Sequence, residues 1–272
     1  VEIPTRDGLS MVSYLTRPAG DGPHPLLLFV HGGPWARDAP GFDANHQFFA
    51  NRGYAVLSPN FRGSSGFGKS FLNAGDHEWA GRMHDDLLDA VEWAIAEGVT
   101  TRDQVAIMGG SYGGYATLVG LTFTPDVFVC GVDIVGPSNL LTLLQSVPPY
   151  WAPLIGTFKR RVGDPDTEEG RAALWDRSPL SRVHDLRRPL LIVQGANDPR
   201  VKQAESEQIV GALQERGIPV RYALFPDEGH GFRRAANRLA FYAITEAFLA
   251  EHLGGRAEPP GDVVTDSSMI LT

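Results

Sequence analysis

Cysteine is almost missing from this chain. Cys130 is the only one in 272 residues, so no intrachain disulfide can form and the core alone must hold the fold. It lies in the apolar run FVCGVDIVG and reads as a buried structural thiol, compatible with a reducing compartment; the expected location is cytoplasmic. Long hydrophobic runs are lacking too. The longest, PLLLFV, is strand length, far from the roughly 18 residues that span a bilayer, so no membrane partner is expected. Positive charge is scarce: 24 Lys and Arg stand against 32 Asp and Glu, a net charge of -8, and the arginines occur singly or in pairs. That balance excludes a nucleic-acid surface and points to a neutral or small substrate. Spacings such as H-E-x-x-H are absent, so neither a metal nor another cofactor is expected. Internal repeats and low-complexity segments are absent as well.

Glycine is plentiful, at 31 residues, and it crowds around one serine in VAIMGGSYGGYATL. The apolar, β-branched start of this stretch predicts a central strand, and Ala, Leu and Val at helical spacing predict a helix from Tyr112 to Phe123. Ser111 therefore stands at a strand-to-helix turn. Gly109, Ser111 and Gly113 fit G-x-S-x-G, in which a sharp turn strains the serine backbone and small neighbours let helix and strand approach. Such a turn lifts Oγ above the sheet and aims a helix N-terminus at any anion formed there. A glycine-rich turn of an ordinary α/β protein would share the pattern, so other segments have to decide.

Strand-like runs recur at Leu26 to Gly32, Tyr54 to Asn60, Gln104 to Gly110, Cys130 to Gly136, Pro189 to Gly195 and Val220 to Pro226. Helical patterns separate them, among them Asp85 to Gly98, Lys202 to Gly217 and Arg238 to Gly255. Alternating units with strands apolar on both faces predict an α/β fold, a mostly parallel sheet with helices on both sides. The opening residues instead read as an antiparallel hairpin about Arg6-Asp7-Gly8 at one sheet edge, which makes eight strands. The region 138–179 is too long for a plain connection and reads as a helical insert beside the strand C-termini. Residues 1–253 form the expected domain. Residues 254–272, where periodicity ends at Pro259-Pro260, read as an arm or disordered tail.

A serine hydroxyl needs a base, and the base needs an orienting carboxylate. In α/β-hydrolases they follow in the order Ser, acid, His, each on a loop after a strand. Asp198 in LLIVQGANDPRV and His230 in YALFPDEGHGF satisfy that order. Asp198 before a proline also suits a plain turn, a reading that weakens once Ser111 and His230 flank it. The carbonyl oxygen that turns negative during acyl transfer needs backbone donors. Gly33 N–H, in FVHGGPWA, and Tyr112 N–H are the candidates; the register among His31, Gly32 and Gly33 stays open by one residue.

HGGPWARD, NFRGSSGFGKSF, GGSYGGYATL, NDPRV and DEGHGF together resemble the catalytic domain of the prolyl oligopeptidase family, most closely its acylaminoacyl-peptidase branch, over nearly the whole chain. The resemblance implies the α/β-hydrolase fold, a triad of Ser111, Asp198 and His230, oxyanion donors Gly33 and Tyr112, and a supporting ion pair of Arg62 with Asp85 or Asp86. It implies hydrolysis of short peptides or N-acylated amino acids, with the acyl side chain held by the insert. There Trp151, Leu154 and Ile155 follow helical spacing and are the expected substrate-binding residues, favouring an apolar side chain. The family's β-propeller has no counterpart after Val1, so the chain reads as a fragment of a larger peptidase or as a stand-alone carboxylesterase on small esters. A homodimer through an edge strand or the C-terminal arm is compatible with the sequence. A non-catalytic binding protein on this fold would need a broken triad, and none is visible.

Overall fold

A computed structural model describes residues 1–272, apart from the side chains of Pro149 and Ala152. Nine strands form one sheet: β1 (Glu2–Pro4), β2 (Ser10–Thr16), β3 (Leu26–Val30), β4 (Ala55–Pro59), β5 (Val105–Gly110), β6 (Cys130–Ile134), β7 (Leu190–Gly195), β8 (Val220–Phe225) and β9 (Ile270–Leu271). Their order is β1-β2-β4-β3-β5-β6-β7-β8-β9. From β4 to β8 all neighbours run parallel, while β1, β2 and β9 pair antiparallel. The eight expected strands and the N-terminal hairpin are present. The ninth comes from the tail, which is ordered.

That tail is held by backbone bonds, first to the end of the helix Ala44–Asn51 and then to the sheet. Arg256 N donates to Arg52 O at 2.8 Å, and Tyr222 and Thr272 exchange both of theirs at 2.8 and 2.9 Å. Ile270 and Leu271 then pair with Leu224 and Ala223. Two residues are too few to carry a strand period, which is why the sequence pattern hides β9.

The helices are α1 (Ala44–Asn51), α2 (Lys69–Asn73), α3 (Arg82–Ala96), α4 (Tyr112–Phe123), α5 (Leu140–Gln145), α6 (Ile155–Arg161), α7 (Glu168–Asp176), α8 (Gln203–Gln214) and α9 (Ala235–Leu253). Strand residues alternate between two cores because successive side chains leave opposite faces. Leu26, Leu28, Val105 and Ile107 pack with Leu87 and Val91 of α3, Leu118 of α4 and Ile209 of α8. Leu27, Ala106, Met108 and Val132 pack on the other face with Phe49 of α1 and Phe248 and Leu249 of α9. A layer on each side explains why the central strands are apolar at every position. The insert contains α5, α6 and α7 with a 3-10 turn over Pro149–Leu154. No helix is long and apolar enough to cross a membrane among the described residues.

Candidate active site

Ser111 joins β5 to α4 with φ 58° and ψ -116°, a region L-residues rarely occupy. Strain of this kind costs on the order of 1–3 kcal/mol and persists only where surrounding structure imposes it. The neighbours do so. Ser111 N donates to Ile134 O at 2.8 Å, and Tyr115 N donates to Ser111 O at 3.0 Å. A Cβ on Gly113 would stand 2.0 Å from Val30 O, and one on Gly109 2.5 Å from the same oxygen. Helix, nucleophile strand and β3 can meet only because those two side chains are missing.

The two loops after β7 and β8 bring the acid to the imidazole. His230 Nδ1 and Asp198 Oδ2 lie 2.7 Å apart, and the Asp198 side chain is fully buried. Its other oxygen accepts from Arg200 N at 2.8 Å and Val201 N at 3.0 Å, so the carboxylate cannot rotate away from the ring. The His230 loop is tied down by Glu228, which accepts from Arg233 N, Arg234 N and Asn237 Nδ2, each at 2.8 Å. Burial opposes the Glu228 charge, but those donors outweigh it and hold its carboxyl below the ordinary value. Glu228 is thus a structural anchor of the loop. Among the described residues the bond to Asp198 is the one the His230 ring makes, and Ser111 Oγ makes none.

Gly33 has φ 123°, and a Cβ there would lie 2.8 Å from Trp35 N. Gly32 passes so close to the end of β5 that a Cβ would meet Gly110 O at 2.9 Å. Among the described residues the Gly33 N–H has no acceptor, and Tyr112, as first residue of α4, has an N–H that the helix cannot use. Ser111, Gly33 and Tyr112 line one pocket. His31 is occupied with the turn itself: Nδ1 lies 2.8 Å from Gly32 O, Nε2 2.9 Å from Ser64 Oγ, and the ring stacks on Phe61. Burial lowers it to about 4, so it is neutral at neutral pH.

Most of the remaining wall is apolar, with Trp79, Trp151, Phe158 and Val201, and Arg200 is its charged member. Of the three insert residues expected there, Trp151 is present. Leu154 and Ile155 are not. Ile155 borders an adjoining crevice that shares Leu144 and Phe158 with this pocket, and Leu154 is 43% exposed. Trp151 and Leu154 belong to the 3-10 turn and Ile155 opens α6, so the three do not lie along one continuous α-helix as their spacing suggests. Trp79 and Phe158 are wall residues the sequence reading does not name; no local pattern marks Trp79. Behind the pocket, buried Glu205 of α8 accepts from Ser138 N at 3.0 Å and Asn139 N at 2.9 Å and from the Thr142 hydroxyl, anchoring the insert. Arg62 pairs with Asp86, the open choice, and also with Asp7; Asp85 pairs with Arg6. Among the described residues no three His, Cys, Asp or Glu side chains gather where a metal ion could be held.

The model of the prolyl oligopeptidase family matches residues 40–256. The chain belongs to this family. Dipeptidyl aminopeptidase BIII of Pseudoxanthomonas mexicana is 64% identical to it across 99% of this chain and 40% of that protein. Dipeptidyl peptidase family member 6 of Caenorhabditis elegans is 54% identical across 92% of this chain and 34% of the relative. The chain thus spans about two fifths or less of these family members. A puromycin-hydrolyzing peptidase of Mycobacterium tuberculosis superposes with a TM-score of 0.88 at 28% identity, covering 95% of this chain and 40% of that one. An acylaminoacyl peptidase bound to Z-Gly-Gly-Phe-chloromethyl ketone superposes with a TM-score of 0.85 at 26% identity, covering 97% and 43%. The mostly parallel sheet with flanking helices is therefore the family's α/β-hydrolase fold.

Proposed function

We propose that this chain is the catalytic portion of a serine peptidase that cleaves short peptides or acyl-aminoacyl bonds through an acyl-enzyme on Ser111. Ser111 Oγ attacks the carbonyl carbon while His230 Nε2 takes its proton, and Asp198 holds the imidazole and balances its charge. The oxyanion is met by the N–H groups of Gly33 and Tyr112, each donor worth roughly 3 kcal/mol in the transition state. Collapse breaks the C–N bond and passes the His230 proton to the departing amine; water then releases the acyl group by the reverse proton route. The observation that carries this reading is the 2.7 Å Asp198–His230 contact on loops at the sheet edge where Ser111 sits strained. The aromatic wall of Trp79, Trp151 and Phe158 favours an apolar side chain on the acyl side.

The names of the two aligned relatives favour release of dipeptides, and their greater length supports a further domain in the whole protein, for which we propose the family's β-propeller. A cytoplasmic location belongs to the same reading and is compatible with the single buried thiol. Labelling with a fluorophosphonate and weighing the product tests the nucleophile. One adduct on wild type and none on Ser111→Ala is expected, and equal labelling of both removes the assignment. Dipeptidyl and N-acetyl-aminoacyl anilides should turn over alongside p-nitrophenyl acyl esters. Ester turnover with no amide turnover would leave the carboxylesterase reading in its place.

A further inference from the structure

Strand β6 carries an acid that the triad chemistry does not use. Cys130 and Val132 point into the core beneath α9, while Gly131 and Asp133 face α4. Gly131 lets Thr117 and Leu121 of α4 settle on the strand, since a Cβ there would come within 2.9 Å of both. Two residues on, Asp133 presents a carboxyl with no exposure to solvent. Oδ1 accepts from Gly136 N at 2.8 Å, and Oδ2 has no partner among the described residues. Burial without a cation pushes this group well above the ordinary carboxyl value, the single N–H bond opposing only in part.

An orphaned buried acid is costly compared with an apolar side chain of the same size, so general stability does not explain it. Its place does suggest a reason. A Cβ on Gly114, in the first turn of α4, would stand 2.3 Å from Oδ1, and a Cβ on Gly136 would stand equally close. The carboxyl is therefore wedged between the start of the nucleophile helix and the turn after β6. That turn contains Val135 at φ 49° and follows Ile134, whose carbonyl receives Ser111 N. An apolar residue could fill the wedge but could not accept Gly136 N–H and close the turn.

We propose that Asp133 is a positioning residue: its carboxyl clamps the first turn of α4 to the turn after β6 and so sets the place of Ser111. The inference rests on Ser111 being the nucleophile. Wild-type labelling is therefore the control, and its absence would count against that assignment and not against the clamp. The measurement is the rate of fluorophosphonate acylation per active site, alongside the number of sites titrated per mole of folded chain. Asp133→Ala should keep its full count of sites while the rate per site falls about 10- to 100-fold, the scale of a sub-ångström to ångström displacement of a reacting group. Asp133→Asn keeps an oxygen for Gly136 N–H and should stay within about twofold of wild type from pH 6 to 9. If Asp133→Ala does not fold, Asp133→Ser is read in the same way. A wild-type rate in either truncated variant, a loss in Asp133→Asn as deep as in Asp133→Ala, or a fall only in the number of sites would overturn the proposal. Failure of both truncated variants to fold also counts against it, because such a residue would serve folding and not placement.

Discussion

The four glycines around Ser111 are not equivalent. Gly109 and Gly113 face backbone oxygen of β3, and Gly114 faces Asp133, whereas a Cβ on Gly110 would find nothing nearer than Ile134 O at 4.0 Å. Gly113→Ala should therefore lower stability by more than about 3 kcal/mol in urea unfolding, since backbone at 2.0 Å cannot yield as a side chain does. Gly110→Ala, at a position with ordinary φ, should be neutral or stabilise by up to about 1 kcal/mol. A midpoint for Gly113→Ala equal to that of Gly110→Ala would contradict the packing described. The glycine cluster was visible in the sequence, but which members are required depends on Val30 and Asp133, both remote along the chain. His230 and Asp198 were legible for a local reason: each sits in a Gly- or Pro-rich loop directly after an apolar run. Glu228, one loop position before Gly229, has no local sequence pattern that marks its role, and only its three donors reveal it as an anchor.

At the level of elements, the insert is where expectation and structure part. Its helical content and its position at the strand C-termini follow from length and composition, yet its facing does not. Trp151 reaches the Ser111 pocket and stacks on Phe158, while Leu154, at the end of the same 3-10 turn, is exposed and Ile155, beyond the break at the start of α6, borders the adjoining crevice. What holds the start of the insert is polar. Glu205→Ala would strand the buried N–H groups of Ser138 and Asn139 and should cost about 2–4 kcal/mol. Because α5 supplies Leu143 and Leu144 to the pocket, the same variant should raise KM for substrates with an apolar acyl-side residue more than it lowers kcat. Unchanged KM with reduced stability would confine Glu205 to folding.

For the molecule as a whole, two cores on either side of one sheet bury several ionisable groups, and these couple stability to pH. His84 on α3 is buried against Thr124, and burial, with Arg6 adding repulsion, lowers it to about 4. The unfolded chain therefore binds the extra proton below about 6.5, and the stabilisation from keeping His84 neutral is lost as pH falls from there toward 4. His31 acts in the same direction. Asp38, raised to about 6 by burial, acts oppositely between 6 and its unfolded value, so total stability is a poor reporter. The difference between wild type and His84→Gln isolates the effect: between pH 7 and pH 5 wild type should lose about 2 kcal/mol more in urea unfolding. Parallel pH dependence in the two proteins would show that His84 is protonated or exposed in the folded state.

The amino-acid order alone determined the alternation of strand and helix, the strained serine turn, and the succession of serine, acid and histidine. Those features depend on side-chain size and periodicity within a dozen residues, and such short-range preferences survive in any context. Only the tertiary structure decided which glycines touch backbone, which acid meets Arg62, which aromatic rings face Ser111, and that residues 270–271 extend the sheet. Each of these is a contact between segments far apart in the chain, where direction and spacing are set by how the layers pack.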